Sequence, residues 1–163
     1  MSDDGLDRVW TNGAVGPLSH HDRSARLCYG YLADCYEAQS NYVAAIDEYM
    51  ASYLGSGYDT NRVTAAFTSL RKAYDTTGPQ GYFRKWIEIA HAQESLPESE
   101  RFIDQDIAGY YVALGEKDKA LKELEDHFND PNLSATFKFL PLHDNLRDEP
   151  RFKALVKRAG LEK

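Results

Sequence analysis

The stretch that decides the fold runs from Leu32 to Tyr49 and has the sequence LADCYEAQSNYVAAIDEY. Apolar residues recur in it every three or four positions, the spacing that places side chains on one face of an α-helix. Only Gln39-Ser40-Asn41 separates the two helical patterns, a length typical of the turn in a helical hairpin. The stretch therefore predicts paired helices, from about Ser24 to Ala38 and from about Tyr42 to Leu54.

The same pattern returns 75 residues later, from Ile107 to Leu124, as IAGYYVALGEKDKALKEL. Leu32-Ala33-x-x-Tyr36 corresponds to Ile107-Ala108-x-x-Tyr111, Ala45-x-x-x-Tyr49 to Ala120-x-x-x-Leu124, and Ser40 to Gly115. Between the two copies, Leu70, Tyr74 and Gly78 repeat the spacing of Leu32, Tyr36 and Ser40 at an offset of 38. A fixed period of this kind indicates stacked structural repeats, here three helical hairpins.

Helical spacing of apolar residues predicts the rest of the architecture as well. We expect a third helix from about Val63 to Gly78, a fourth from Tyr82 to Gln93, a fifth from Pro97 through Phe102 to Gly115, a sixth from Glu116 to Phe128 and a last from Pro150 to Ala159. Gly160 should end the last helix in the left-handed conformation. Strand-type alternation is absent from the sequence, so the predicted fold is all-α.

The predicted domain organisation has two parts. Residues 1–23 lack any helical pattern and are expected to form an irregular arm, which is either frayed or pinned to the rest by Trp10 and Leu18. Residues 24–163 form a helical-repeat domain, with hairpins at about 24–55, 60–94 and 98–129 and a capping helix at about 148–160.

The repeat resembles the tetratricopeptide family, whose unit has a large-small-x-x-Tyr pattern in its first helix and Ala-x-x-x-aromatic in its second. The resemblance covers about residues 26–131 and implies an α-α superhelix. It places Ala33, Ala45, Ala108 and Ala120 where two helices approach closely, with Leu32, Tyr36, Tyr49, Ile107 and Tyr111 filling the adjoining space. The middle unit departs from the pattern, because Arg71 and Phe83 occupy the small positions.

The C-terminal half is similar to the end of the repeat arrays that many bacterial proteins carry behind winged-helix regulators, kinases or cyclases. The resemblance rests on Leu70-Arg71-Lys72-Ala73-Tyr74, on Gly81-Tyr82-Phe83-Arg84-Lys85, on the run from Tyr111 to Leu121, and on Leu146-Arg147-Asp148-Glu149-Pro150-Arg151-Phe152. In that family the last of these segments leads into a helix that caps the solenoid.

Composition excludes several classes of protein. The 26 Asp and Glu residues outnumber the 19 Lys and Arg, and the net charge of -7 would repel a phosphate backbone, so we expect no nucleic-acid partner. No apolar run approaches the roughly 20 residues of a membrane helix, and no signal peptide is recognisable. Cys28 and Cys35 stand seven residues apart on one predicted helix, too far to form a disulfide with each other. Reduced, semi-buried thiols and a cytoplasmic location are therefore expected.

Motifs that would indicate catalysis are missing from the sequence. His20-His21-Asp22 could offer metal ligands but has no second ligand cluster at suitable spacing. Cys35 has no neighbouring group to activate its thiol, and the pairs Asp47-Glu48 and Glu123-Glu125 are typical of solvated helix faces. Neither a glycine-rich phosphate loop nor a nucleophile elbow occurs. We predict a protein that is not an enzyme and carries no metal or cofactor.

The resemblance implies instead that the first helices of successive hairpins line a concave groove that binds a protein or peptide segment. Because Asp34, Glu37 and Asp75 would make this groove acidic, we expect the segment to be basic or neutral. Its groove positions correspond to Leu27, Asp34, Glu37, Thr68, Lys72, Asp75, Phe102, Gln105, Gly109 and Val112. The function expected is a non-catalytic interaction scaffold. The alternatives are a structural module that forms oligomers such as a homodimer, a regulatory sensor module of a larger bacterial protein, and an enzyme or small-ligand sensor.

Overall fold

The computed structural model describes residues 20–97, 100–102, 107–128 and 145–160. In these ranges the chain forms seven α-helices and no strand, so the all-α prediction is confirmed for the part described. The helices are α1 His20–Ala38, α2 Tyr42–Gly55, α3 Thr60–Thr77, α4 Pro79–Gln93, α5 Ile107–Ala113, α6 Lys117–Asp126 and α7 Pro150–Arg158. The chain divides into two compact units, Met1–Thr64 and Ala65–Lys163.

None of the described helices has the length and apolar character needed to cross a membrane.

The first unit is built on the α1–α2 hairpin, whose helices meet through small side chains. Ala33 and Ala45 are completely buried, as the repeat pattern predicts. A methyl group added at Gly30 would lie 3.8 Å from the Ser52 hydroxyl on α2, which shows how close the two helices run. The phenol of Tyr49, which is almost fully buried, donates a 2.5 Å hydrogen bond to the Asp34 carboxylate. Small residues and one polar pair therefore hold this hairpin together.

The turns of the first and third hairpins have the same hydrogen bonds, 75 residues apart. Ser40 and Gly115 both have positive φ, 59° and 77°. In the first turn the backbone N–H of Ser40 donates to Glu37 O at 2.8 Å, and that of Asn41 donates to Tyr36 O at 2.8 Å. In the third hairpin the backbone N–H of Gly115 donates to Val112 O at 2.9 Å, and that of Glu116 donates to Tyr111 O at 2.8 Å. These two bonds with a left-handed residue between them define the Schellman motif, which ends a helix. The two turns therefore share one backbone construction.

The second unit contains a cluster of aromatic side chains contributed by α3, α4 and α5. Phe67 meets Trp86 edge-to-face at 5.4 Å between ring centroids, and Trp86 stacks on Tyr110 at 6.4 Å. Tyr82 and Phe83 complete the cluster, and all five rings are less than a tenth exposed. Such edge-to-face and stacked pairs add to the stabilisation that burial of the rings supplies.

Helices α5, α6 and α7 share the other core of the second unit. Its buried members are Ala108, Val112, Ala120, Leu121, Leu124, Phe128, Leu146, Phe152 and Leu155. The prediction that Ala108 and Ala120 mark a close helix approach fits their burial, 2% and 0% exposed. Gly160 has φ 67° and ends α7, as predicted. The α7 helix thus contributes Phe152 and Leu155 to the core that it shares with α5 and α6.

The prediction of one continuous helix from Pro97 to Gly115 is wrong, because Arg101 and Phe102 lie outside any helix. The Arg101 guanidinium donates to Glu94 O at 2.8 Å and Leu96 O at 2.9 Å, and the buried Gln93 side chain accepts the Phe102 N–H at 2.9 Å. These side-chain bonds satisfy backbone groups that a helix would otherwise pair, while Phe102 is buried. Arg101 and Phe102 are therefore held by side-chain hydrogen bonds outside any helix.

The N-terminal predictions are corrected in three places. The α1 helix begins at His20, so the expected arm over 1–23 is helical in its last four residues, while Trp10 and Leu18 lie outside the described residues. Leu32, expected to fill space in a helix crossing, is 40% exposed. Cys28 and Cys35, expected to be semi-buried, are both exposed free thiols. The reason is that the face of α1 that packs on α2 is the one with Gly30 and Ala33, which leaves the larger residues outside.

Candidate functional site

Three of the predicted groove residues share the exposed face of α3. Thr68, Lys72 and Asp75 follow one another at intervals of four and three residues, which places them on one side of the helix, and all three are exposed. Phe67 and Leu70, on the other side, are buried. The result is a row with one hydroxyl, one cation and one carboxylate that a ligand can reach.

Three further predicted residues, Leu27, Asp34 and Glu37, belong to the first unit. Asp34 is exposed, but its carboxylate already accepts the hydrogen bond from the Tyr49 phenol. Glu37, one turn further along α1, is half-buried. The side chain of Leu27 lies outside the described residues. Of the two predicted groove residues of the first unit whose side chains the structure describes, Asp34 is the exposed one, and its carboxylate also has a structural role.

The prediction for the third hairpin is wrong for three of its four groove residues. Phe102 and Val112 are only 4% and 7% exposed, and Gly109 is buried as well. The cause is the short α5 helix, in which five of seven residues are buried, so it has no broad free face. Gln105 lies outside the described residues. These positions contribute to the core rather than to a ligand surface.

Sequence reasoning missed a set of charged groups that joins α4 to α6. The Glu116 carboxylate lies 3.0 Å from Arg84 and 2.8 Å from Lys119. The hydrogen bond from Lys119, followed by that from Arg84, lowers the pKa of Glu116. The Glu116–Lys119 spacing was visible in the sequence as an i,i+3 pair, whereas the partner on α4 depends on the tertiary packing.

Two histidines flank the Glu123 carboxylate on the same side of the unit. His127 Nδ1 lies 3.3 Å from one carboxylate oxygen, and His91 Nε2, on α4, lies 3.7 Å from the other. Burial, then the charge of Glu123, raises the pKa of the neighbouring Tyr111 phenol. The two imidazoles are both more than two-fifths exposed. This arrangement fits a surface charge network that ties α4 and α5 to α6.

A second charge network attaches α7 to α6. Arg151 donates two parallel hydrogen bonds to Glu125, at 2.9 and 2.7 Å, and a third of 3.3 Å to Asp118. Lys117 adds a 3.0 Å bond to Glu149 at the start of α7. We call Arg151, Glu125 and Asp118 the arginine clasp. A bidentate arginine–carboxylate pair has well-defined geometry, so the clasp orients α7 on the core described above.

The described residues include no group of three or more His, Cys, Asp or Glu side chains placed to hold a metal ion. The chemical groups that the site offers are therefore the hydroxyl, ammonium and carboxylate of the α3 row and the ion pairs around α6. They can pair with charged and polar groups of another molecule.

Comparison with known proteins adds no relative. No protein-family model matches the chain, and no curated protein or solved structure was found to be similar to it.

Proposed function

We propose that the chain is a non-catalytic protein-interaction module, built from three hairpins of tetratricopeptide type and a capping helix, that binds a protein or peptide segment along α3. The observation that carries the proposal is the exposed row of Thr68, Lys72 and Asp75 on a helix whose opposite side is fixed in the core. Residues held on a rigid helix can recognise a partner without first becoming ordered.

Two further observations support this proposal. The first and third hairpins have the same type of turn, 75 residues apart. Solenoid scaffolds are likewise built from hairpins of one repeated structure. The two free thiols, Cys28 and Cys35, fit a cytoplasmic location, where disulfides are rare. The proposed partner is a basic or neutral segment. It contacts Asp75, while the Lys72 ammonium donates a hydrogen bond to one of its backbone carbonyls.

The first experiment identifies the segment that lies on α3. The photo-reactive residue p-benzoylphenylalanine replaces Thr68 in one variant and the exposed Lys122 of α6 in a control variant. After irradiation in a cell extract, mass spectrometry identifies the crosslinked segment. We expect one basic or neutral segment at position 68 and not at position 122; equal labelling at both positions would contradict a site on α3.

The second experiment measures binding of that segment as a labelled peptide. For a basic segment, Asp75→Lys replaces an attraction of about 1 kcal/mol at contact distance by a repulsion of similar size, so the affinity should fall roughly tenfold or more. Asp148→Lys changes the net charge by the same amount at a fully exposed site on another part of the chain and is the matched control. Asp34→Lys is unsuitable, because it would also remove the partner of the Tyr49 phenol.

Fluorescence anisotropy at two salt concentrations gives both affinities. The attraction to Asp75 should weaken as salt rises, because the Debye length falls from about 10 Å at 0.1 M to about 3 Å at 1 M. If Asp75→Lys binds a basic peptide as tightly as the wild type does, α3 is not the binding surface.

A further inference from the structure

The α1 helix has an apolar face that nothing covers in the described part of the chain. Cys28, Tyr31, Leu32 and Cys35 occupy it, at the spacings of three and four residues that form one stripe along a helix. All four are exposed, Tyr31 by 68% and Leu32 by 40%. We call these four residues the α1 apolar face. It lies on a different helix from the proposed peptide site on α3.

The residues of this face are arranged symmetrically. Cys28 and Cys35 are equally far from the midpoint between Tyr31 and Leu32, so the order along the helix is small, large, large, small. When two such helices pair in antiparallel fashion about that midpoint, Cys28 of one copy lies level with Cys35 of the other, and the two bulky residues meet at the centre. A surface with this property is complementary to itself, as a two-fold interface requires.

The helix dipoles favour the same arrangement. Antiparallel pairing of two α1 helices opposes their dipoles, whereas parallel pairing would align them.

The exposed area sets the expected strength of such a contact. With about 200 Å² for a fully exposed tyrosine, Tyr31 and its neighbour Tyr29, 41% exposed, offer roughly 220 Å² between them. With Leu32 and the two thiols, the α1 apolar face and the adjoining Tyr29 together expose about 400 Å², about half of the roughly 800 Å² that each partner contributes to a standard interface. A second copy would therefore bind weakly and reversibly.

We propose that the α1 apolar face is the contact of a weak antiparallel homodimer in which Cys28 of each copy faces Cys35 of the other. The two cysteines allow a sharp test with diamide, which takes up the two protons and two electrons that a pair of thiols releases as the S–S bond forms. Cys28→Ser and Cys35→Ser each leave one thiol per chain. Antiparallel pairing then holds like thiols about 10 Å apart, too far for a disulfide.

The expected result is that neither single variant forms a crosslinked dimer efficiently, whereas an equimolar mixture of the two does. The disulfide in that mixture should join Cys28 to Cys35, as identified by mass spectrometry of the digested dimer. Equal crosslinking of a single variant with itself would overturn the antiparallel arrangement, and absence of crosslinking in the mixture would overturn the dimer.

Analytical ultracentrifugation of reduced protein tests the contact without any crosslink. The wild type should show a monomer–dimer equilibrium in the range of tens of micromolar to millimolar, and Tyr31→Glu should remain monomeric at every concentration. Val43→Glu, at an exposed apolar residue of α2, is the control and should dimerise as the wild type does. A wild type that stays monomeric at 1 mM would refute the proposal and indicate that another part of the chain covers the face.

Discussion

Two glycine-to-alanine substitutions in helices should change stability in opposite directions. A Cβ atom added to Gly81 of α4 would lie 2.3 Å from the Ala73 carbonyl oxygen and 2.1 Å from the Thr77 hydroxyl, both on α3, whereas ordinary contact begins near 3.4 Å. A Cβ added to Gly30 of α1 would lie 3.8 Å from Ser52, an ordinary contact. The same chemical change therefore meets a backbone clash in one helix and an ordinary van der Waals contact in the other.

The size of each effect follows from these distances. Alanine favours a helix interior by about 1 kcal/mol over glycine, and Gly30→Ala should gain most of that. Gly81→Ala gains less, since Gly81 lies in the first turn, and α4 must also move by about 1 Å to clear the Ala73 carbonyl. That shift opens the contact of Phe67 with Trp86, and overpacking of this kind costs about 1–3 kcal/mol. The net expectation is a loss of about 1–3 kcal/mol for Gly81→Ala.

Urea unfolding followed by circular dichroism measures both variants. A Trp10→Phe background makes Trp86, which is completely buried, the only tryptophan, so its fluorescence reports on the second unit alone. Gly81→Ala should lower the urea midpoint of the fluorescence transition, and Gly30→Ala should raise the midpoint of the transition seen by circular dichroism. If Gly81→Ala were as stable as the parent, the close approach of α4 to α3 would be disproved.

Three further outcomes are expected. Ala45→Leu and Ala120→Leu should each lower the free energy of unfolding by about 1–3 kcal/mol, because both alanines are completely buried; unchanged melting temperatures would refute the repeat register. Deletion of residues 146–163 should expose the core under α7 and cause aggregation, which light scattering would detect; a monodisperse truncation would exclude a capping role. Arg151 lowers the pKa of Glu125 below its usual 4.5, so the clasp stabilises the fold above about pH 4.5 and is lost on acidification through the lowered pKa; Arg151→Ala should flatten this part of the stability–pH curve, and an unchanged curve would contradict the clasp.

Helix positions were predictable wherever the signal was local. Asn41, Gly78 and Gly160 end or begin helices at the predicted places, because cap and turn preferences depend on a few neighbouring residues. The fifth helix was mispredicted for a non-local reason. Acidic residues after Pro97 are typical of a helix start, but the Gln93 and Arg101 side chains bind backbone groups there, and Arg101 and Phe102 lie outside any helix.

The candidate site was less predictable than the fold. Helical spacing placed Thr68, Lys72 and Asp75 correctly on one face, because the buried positions of α3 alternate with them at a fixed period. It could not show that Val112 is buried, since both sides of the short α5 helix are packed against other residues. Nor could it identify the arginine clasp, because Glu125 and Asp118 lie 26 and 33 residues before Arg151 in the chain.

The matched turns at Ser40 and Gly115 have a consequence for the speed of folding. Each turn joins helices through only three residues, so the contacts it brings together are local and closing the loop costs little entropy. Chains dominated by local contacts fold within microseconds to milliseconds. Each of these two hairpins can therefore begin to form before distant parts of the chain meet. We expect the slower steps of folding to be those that bring already formed helices together.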